Sequence, residues 1–364
     1  MSTQRGRIQI TGFDPSRVEG RDSLSDWSEA SGTEPVSRWR RAFQRFKRNR
    51  SAMLGLAVVG AMVLLTIFAR PLLTPSSIVL PGLTLELPEA ISGITVQPIS
   101  LAPFEPSSIL YLQPEYSDLS PYSPPSAETL MGTDGSGRDL FSRVLYGGRY
   151  SISIGFVVVF ITGTIGIIYG AVSGYYGGWV DEIMMRILDV IFAFPGLVLA
   201  LVIVAMLGGG YWQLVLAFVL PGWAGYGRLI RGEILKVKEN EYVTAAKALG
   251  ARDYKVIFRH IVPNAMAPVI VQASLSIGTV VIGVAALGFL GVGFPPTTAE
   301  WGTMLDQTRQ TLIQGPGGNI PWWATVFPGG AIFLFVMAMN LIGDGINDAL
   351  DAQESTVARG GGGG

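Results

Sequence analysis

The chain has no cysteine, so neither a disulfide framework nor a thiolate metal site can be built from it. Its single histidine, His260, rules out a His-cluster metal centre. Charged residues fill only 15% of the 364 positions, and a net charge of −1 points to no nucleic-acid partner. More telling is where charge is missing. The long apolar runs carry no ionisable residue at their centres. Such a residue is costly in hydrocarbon and marks ion and proton paths. Its absence argues against a proton- or sodium-coupled carrier working alone. No nucleophile–base pair or carboxylate pair falls within the runs either, which argues against an intramembrane enzyme.

What is present is apolar. Hydrophobic residues make up 49% of the chain, with 47 glycines and 22 prolines, and both of these types are commoner in transmembrane helices than in soluble ones. Apolar segments at Ala52–Ala69, Ser151–Ser173, Ile187–Leu207, Trp212–Ile230, Ala265–Leu287 and Val326–Gly343 are each long enough to span a bilayer. The expected fold is an all-α polytopic membrane protein of six transmembrane helices, with a small irregular or β extracytoplasmic insert. Residues 1–35 are polar and without apolar period, and read as a disordered cytoplasmic tail. Residues 36–50 hold Arg38, Arg40, Arg41, Arg45, Lys47, Arg48 and Arg50 and no acid, with Trp39, Phe43 and Phe46 on one helical face. That pattern fits an interfacial helix against membrane lipid, and equally a plain charge anchor. Either places the N-terminus inside by the positive-inside rule.

The first span, 51–70, leads into residues 71–147, a Pro-rich and acid-biased insert read as extracytoplasmic, with a few short strands. Residues 148–345 hold the other five spans and a cytoplasmic loop, 231–264. Residues 346–364 form a cytoplasmic tail ending in Gly360–Gly364, which reads as a linker. Six spans return both termini to the inner side of the cell membrane. The loop agrees, since its Lys and Arg outnumber its acids. Gly166, Gly170 and Gly174 form a small-xxx-small face for close helix packing. Pro195, Pro221 and Pro268 are expected to kink their helices. Trp322 and Trp323 are expected at the outer interface.

Two motifs compete for chemistry. Gly132–Asp139, GTDGSGRD, mimics a phosphate loop, yet Arg138 stands where the lysine should be and Asp139 where the hydroxyl should hold magnesium. A loop folding back into the outer mouth is the better reading. The other stretch is Glu239–Asn264, ENEYVTAAKALGARDYKVIFRHIVPN. Asn240 is placed to cap a helix Glu241–Leu249, with Gly250 in the left-handed position that ends it. Asp253 is placed to cap a second helix carrying Tyr254, Ile257, Phe258 and Ile261, stopping at Pro263. Ala245 and Ala246 leave the first helix with a low face that can sit against another protein.

This stretch resembles the EAA loop of binding-protein-dependent ABC transporter permeases, with Ala245, Ala246, Gly250 and Pro263 in the motif's places. Thr244 replaces the motif's glutamate, and His260 and Val262 stand where a hydrophobic pair is usual. The form YVTAAKALGA…FRHIVPN is similar to the dipeptide/oligopeptide/nickel branch, as are GTDGSGRDLFSRVLYGGRYSISIG and GYYGGWVDEIMMRILDVIFAFPGLVLA. The resemblance implies the type I importer permease fold and a C-type partner of a heterodimeric permease pair. It also implies two ABC ATPase subunits that bind ATP and Mg, an extracytoplasmic substrate-binding protein, and no cofactor or catalysis in this chain. By the same resemblance, Glu241, Tyr242, Ala245, Ala246, Leu249, Gly250, Asp253 and Pro263 couple to the ATPase. The implied cargo is di- or oligopeptides, with nickel or oligosaccharides as alternatives. An ATP-independent transporter and a membrane scaffold are the readings from other classes, and neither explains the loop.

Overall fold

The computed structural model describes residues 38–69, 77–80, 83–86, 101–309, 311 and 320–351. The tail 1–35, the run Gly360–Gly364 and much of the insert between 70 and 100 lie outside these residues. The chain divides into two units, residues 1–45 and 46–364. In the basic run, α1 (Arg38–Arg48) forms as the pattern requires, and Phe43 is exposed.

Asn49 begins the next helix, α2 (Arg50–Ile67), because its side-chain oxygen accepts from the Ser51 and Ala52 amides. At its far end the orphan carbonyls of Thr66 and Ile67 accept from Arg149 at 2.7 and 2.8 Å. Among its described residues the insert forms a hairpin, β1 (Ser77–Leu80) against β2 (Leu83–Glu86), antiparallel with Leu80 opposite Leu83.

Next come α3 (Leu140–Tyr176), α4 (Gly178–Phe192), α5 (Gly196–Leu207) and α6 (Tyr211–Val237). The short α7 (Glu241–Ala248) follows, then α8 (Asp253–Phe289), α9 (Trp301–Thr308) and α10 (Trp323–Asp351). By length and composition α2, α3, α8 and α10 can cross a membrane, and α4 with α5 makes a fifth if taken as one broken span. The fourth expected span, Trp212–Ile230, lies within α6. That helix has 27 residues, about 40 Å, and is long enough, but Arg228 and Arg231 dilute its apolar character. The third expected span, Ile187–Leu207, is not one straight helix. It bends by 77° where Ala193–Pro195 interrupts it. Pro195 lacks the N–H that a continuing helix would need. Pro221 and Pro268, by contrast, sit inside unbroken helices.

The glycine stripe on α3 is the tightest seam. A Cβ on Gly166 would lie 2.3 Å from Tyr226 Cβ, one on Gly170 2.2 Å from the Gly227 carbonyl oxygen, and one on Gly174 2.9 Å from Ile234 Cγ2. The α3 and α6 backbones therefore touch, which only a small-residue face permits. Gly55 gives α2 the same approach to α10, its absent Cβ standing 2.6 Å from the Ala338 carbonyl oxygen.

The end of the bundle that carries α9 is closed by a buried polar network. Asp134 holds the GTDGSGRD loop by accepting from the Ser136 and Arg138 amides, and its carboxylate pairs with Arg138 Nε at 2.8 Å and Arg143 Nε at 3.2 Å. Arg138 also reaches Gln307, and Arg143 donates to the Pro106 carbonyl. The loop thus folds back on the bundle beside α9, with its guanidinium already engaged. Glu300, fully buried, caps α9 and accepts from Ser151 Oγ, from the Gly302 and Thr303 amides and from Thr303 Oγ1, all at 2.8–3.0 Å. Burial pushes its carboxyl up from the ordinary range, while those four donors pull it back. Trp323 differs from expectation. It is buried over Gly132 and donates its indole N–H to the Thr133 carbonyl, leaving Trp322 as the exposed member of the pair.

Glu300→Ala should strand two buried amides, each costing about 1–3 kcal/mol. Purified in detergent, that variant is expected to melt well below the parent, with Glu300→Gln in between. Equal melting of all three would show that the cap is dispensable.

Candidate functional site

The stretch after α6 folds as two helices on a fixed base, broadly as its pattern requires. Val243 is fully buried and anchors α7 to the bundle, while Val256, Ile257 and Ile261 anchor the start of α8. Gly250 ends α7 at φ +77°, which favours glycine. Its amide donates to the Lys247 carbonyl and the Ala251 amide to the Ala246 carbonyl, the paired bonds of a Schellman turn.

Three local expectations are corrected. Asn240 does not cap α7 with its side chain, because its amide nitrogen reaches back to the Val237 carbonyl at 2.9 Å. Asp253 is not a cap but the first helical residue, and its carboxylate accepts from the Tyr175 hydroxyl at 2.6 Å. Pro263 does not stop the second helix. Residues Val256–Ile261 are wound as a π-helix, and the chain then continues to Phe289. The wider turn changes the local register just where the proline ring would otherwise strike a preceding carbonyl.

The expected coupling residues divide between two tasks. Glu241, Tyr242, Ala245, Leu249 and Gly250 are exposed, and Tyr242, Ala245 and Leu249 follow one another along a single helix face. Leu249 is 89% exposed, with neighbours in the next helix, Tyr254 and Phe258, also turned outward. Ala246 is half-buried, and Pro263 is exposed beyond the π segment. Asp253, although exposed as a residue, spends its carboxylate on Tyr175. The result is an apolar outer stripe on a helix held from beneath. His260 is half-buried, with its carbonyl accepting from Asn264.

Sequence reasoning missed the tethers. Tyr175, near the end of α3, meets the loop twice: its hydroxyl bonds Asp253 and its ring lies 4.6 Å beneath the Lys247 ammonium. Lys238 donates to the Gly174 carbonyl at 2.8 Å, and Asp181 of α4 pairs with Arg231 of α6 and receives the Ser173 hydroxyl. Apart from Ser173 and Asp181, eight positions apart, these partners are separated by fifty residues or more, so no local pattern announces them. Among the described residues no cluster of three or more His, Asp or Glu is placed to hold a metal.

Residues 166–355 match the family model described as binding-protein-dependent transport system inner membrane component. Residues 37–83 match the N-terminal transmembrane domain of oligopeptide transport permease C. The chain is 39% identical over 316 residues to a dipeptide transport system permease protein from Alkalihalophilus pseudofirmus, covering 87% of this chain and 90% of that protein. It is 36% identical over 313 residues to a glutathione transport system permease protein from Shigella dysenteriae, covering 86% and 90%. An oligopeptide transport system permease protein from Bacillus subtilis is 33% identical over 342 residues, covering 93% and 96%. With its apolar helices and its loop now in place, the chain belongs to the binding-protein-dependent transport system inner membrane components, the permease subunits of ABC importers.

Proposed function

We propose that this chain forms one half of the translocation pathway of a peptide importer, and that α7 docks it to a cytoplasmic ATPase. The observation that carries the docking is the exposed stripe Tyr242–Ala245–Leu249 on a helix whose underside is fixed by Val243 and ended by Gly250. A side chain as large as Leu249 gains nothing by standing in water and gains about 1.5–3 kcal/mol when covered. The cargo is inferred from the relatives, which are named for dipeptide, oligopeptide and glutathione transport. These names favour peptides over nickel or oligosaccharides. A second, different permease chain completes the pathway. Two ATPase subunits carry ATP and Mg, and a binding protein delivers cargo from outside. Both termini and α7 lie on the cytoplasmic side.

Two measurements test this. Reconstituted with the partner chains, the importer should take up a labelled dipeptide only when ATP is supplied on the α7 face, and this chain alone should move none down any ion gradient. For orientation, the cysteine-free background allows Ser117→Cys and Lys255→Cys, both at exposed positions. An impermeant thiol reagent should reach Ser117→Cys from outside and Lys255→Cys only after the membrane is opened. The reverse labelling would invert the topology.

A further inference from the structure

A cavity of about 540 Å³ is bounded by α3, α6, α8 and the bend between α4 and α5. Phe192, Phe194 and Leu197 at the bend give it an apolar wall. Against that wall α8 presents Gln272, Ser276 and Thr279, at spacings of four and three residues and so on one helix face. Gln272 Nε2 donates to Ser276 Oγ at 3.1 Å, and Gln272 and Thr279 are exposed. Thr162 of α3 and Tyr226 of α6 also line the space. The Tyr226 hydroxyl is buried and has no hydrogen bond of ordinary geometry, although Ser276 lies beside it.

The depth of this face decides what it meets. Ser276 is the middle residue of the apolar segment Ala265–Leu287, so the stripe sits near the centre of its span. Thr279 Oγ1 donates to the Leu275 carbonyl at 3.2 Å, as Gln272 donates to Ser276, yet the Gln272 carboxamide oxygen turned to lipid tails there would lose its hydrogen bonds to water, at several kcal/mol. The stripe therefore faces water or solute rather than lipid. No Asp, Glu, Lys, Arg or His lines the cavity. Amide and hydroxyl groups both donate and accept, which matches the N–H and C=O of a peptide bond. They offer no counter-charge to hold a terminal carboxylate or ammonium group. Such a contact admits a solute without trapping it, as conduction requires.

We propose that the Gln272–Ser276–Thr279 face of α8 is a solute-contact site in the pathway, hydrogen-bonding the neutral amides of a passing peptide. This rests on reading the chain as half of a peptide pathway. The test therefore begins by confirming ATP-driven peptide uptake by the complete reconstituted importer, and lack of uptake there refutes the reading itself. Ser276→Cys and Thr279→Cys are then treated with a hydrophilic methanethiosulfonate, with modification of this chain read by mass. Both should be modified, and excess peptide supplied with the binding protein should slow the reaction. Phe160→Cys, 75% exposed on α3 and not part of the cavity wall, should stay unmodified. Gln272→Leu should lower uptake about tenfold, with ATPase association unchanged, while Gln272→Asn should retain most of it. The proposal is overturned if the stripe cysteines react no better than Phe160→Cys. It is equally overturned if peptide gives no protection and Gln272→Leu transports normally. Protection by the second permease chain whether or not peptide is present would make the stripe a subunit seam instead.

Discussion

Leu249→Asp is expected to abolish peptide uptake while leaving the chain in the membrane at its normal amount. Leu249 is 89% exposed, so the fold gives it little packing to lose, and an exposed substitution of this kind costs the isolated chain within about 0.5 kcal/mol. In a docked complex the balance is different. The covered leucine loses its burial gain, and an unpaired carboxylate must be taken out of water at several kcal/mol more. Together these outweigh what a single covered leucine contributes to docking. Co-purified ATPase should fall below detection, whereas Leu249→Met should keep both association and uptake. Gly250→Val should produce the same uncoupling by another route. Nothing lies within 4 Å of a Cβ placed there, so the damage comes only from forcing φ +77° on a β-branched residue, about 1–2 kcal/mol or more. Normal uptake and normal ATPase retention in both variants would falsify the docking assignment. Loss of the chain from the membrane would show that α7 serves its own fold instead.

Gly170→Leu should have the opposite phenotype, with no stable chain at all. Even the first added carbon would stand 2.2 Å from the Gly227 carbonyl oxygen, 2.3 Å from Ile230 Cγ2 and 3.0 Å from the Arg231 amide. Two of those three obstacles are backbone, so no rotamer change relieves them. The α3 and α6 axes must part, opening the seam that Gly166 and Gly174 also require. Ordinary overpacking costs about 1–3 kcal/mol, and a clash between main chains belongs at or above the top of that range. Quantified in isolated membranes, Gly170→Leu should be nearly absent. Gly163→Ala, whose Cβ meets nothing within 4 Å, should accumulate like the parent. Near-equal abundance of the two would mean that the helices are free to separate.

Much of this was legible in the residues because membrane spans and helix ends obey local rules. The apolar runs placed the long helices, Gly250 marked the end of α7, and the faulty phosphate-loop chemistry of GTDGSGRD pointed to a loop folding back. The 77° bend was hidden inside an apolar run, since hydropathy is the same for a straight and a broken helix. Asp253 reads as a cap by spacing, and only the proximity of Tyr175, 78 positions earlier, shows that its carboxylate is spent elsewhere. Glu300 carries no sequence signal, because its donors arrive from α3 and from the start of α9. The polar stripe on α8 could have been seen. Gln272, Ser276 and Thr279 interrupt a hydrophobic run at helical spacing, but the interruption marks a face only once the cavity beside it is known.

The unbroken course of α8 links these regions mechanically. A single helical shaft of 37 residues, about 55 Å long, begins beside the Tyr242–Leu249 stripe and ends against α9. At its start Asp253 is pinned to α3 through Tyr175. At its far end Gly288 lies so close to α9 that a Cβ there would stand 2.8 Å from the Thr303 amide. A rod gripped at both ends cannot tilt at one without moving the other. Thrust applied to Tyr254 and Phe258 would therefore swing Gln272–Thr279 and disturb the Glu300 seat in one stroke, with the π turn at Val256–Ile261 as the place where the shaft can take up torsion.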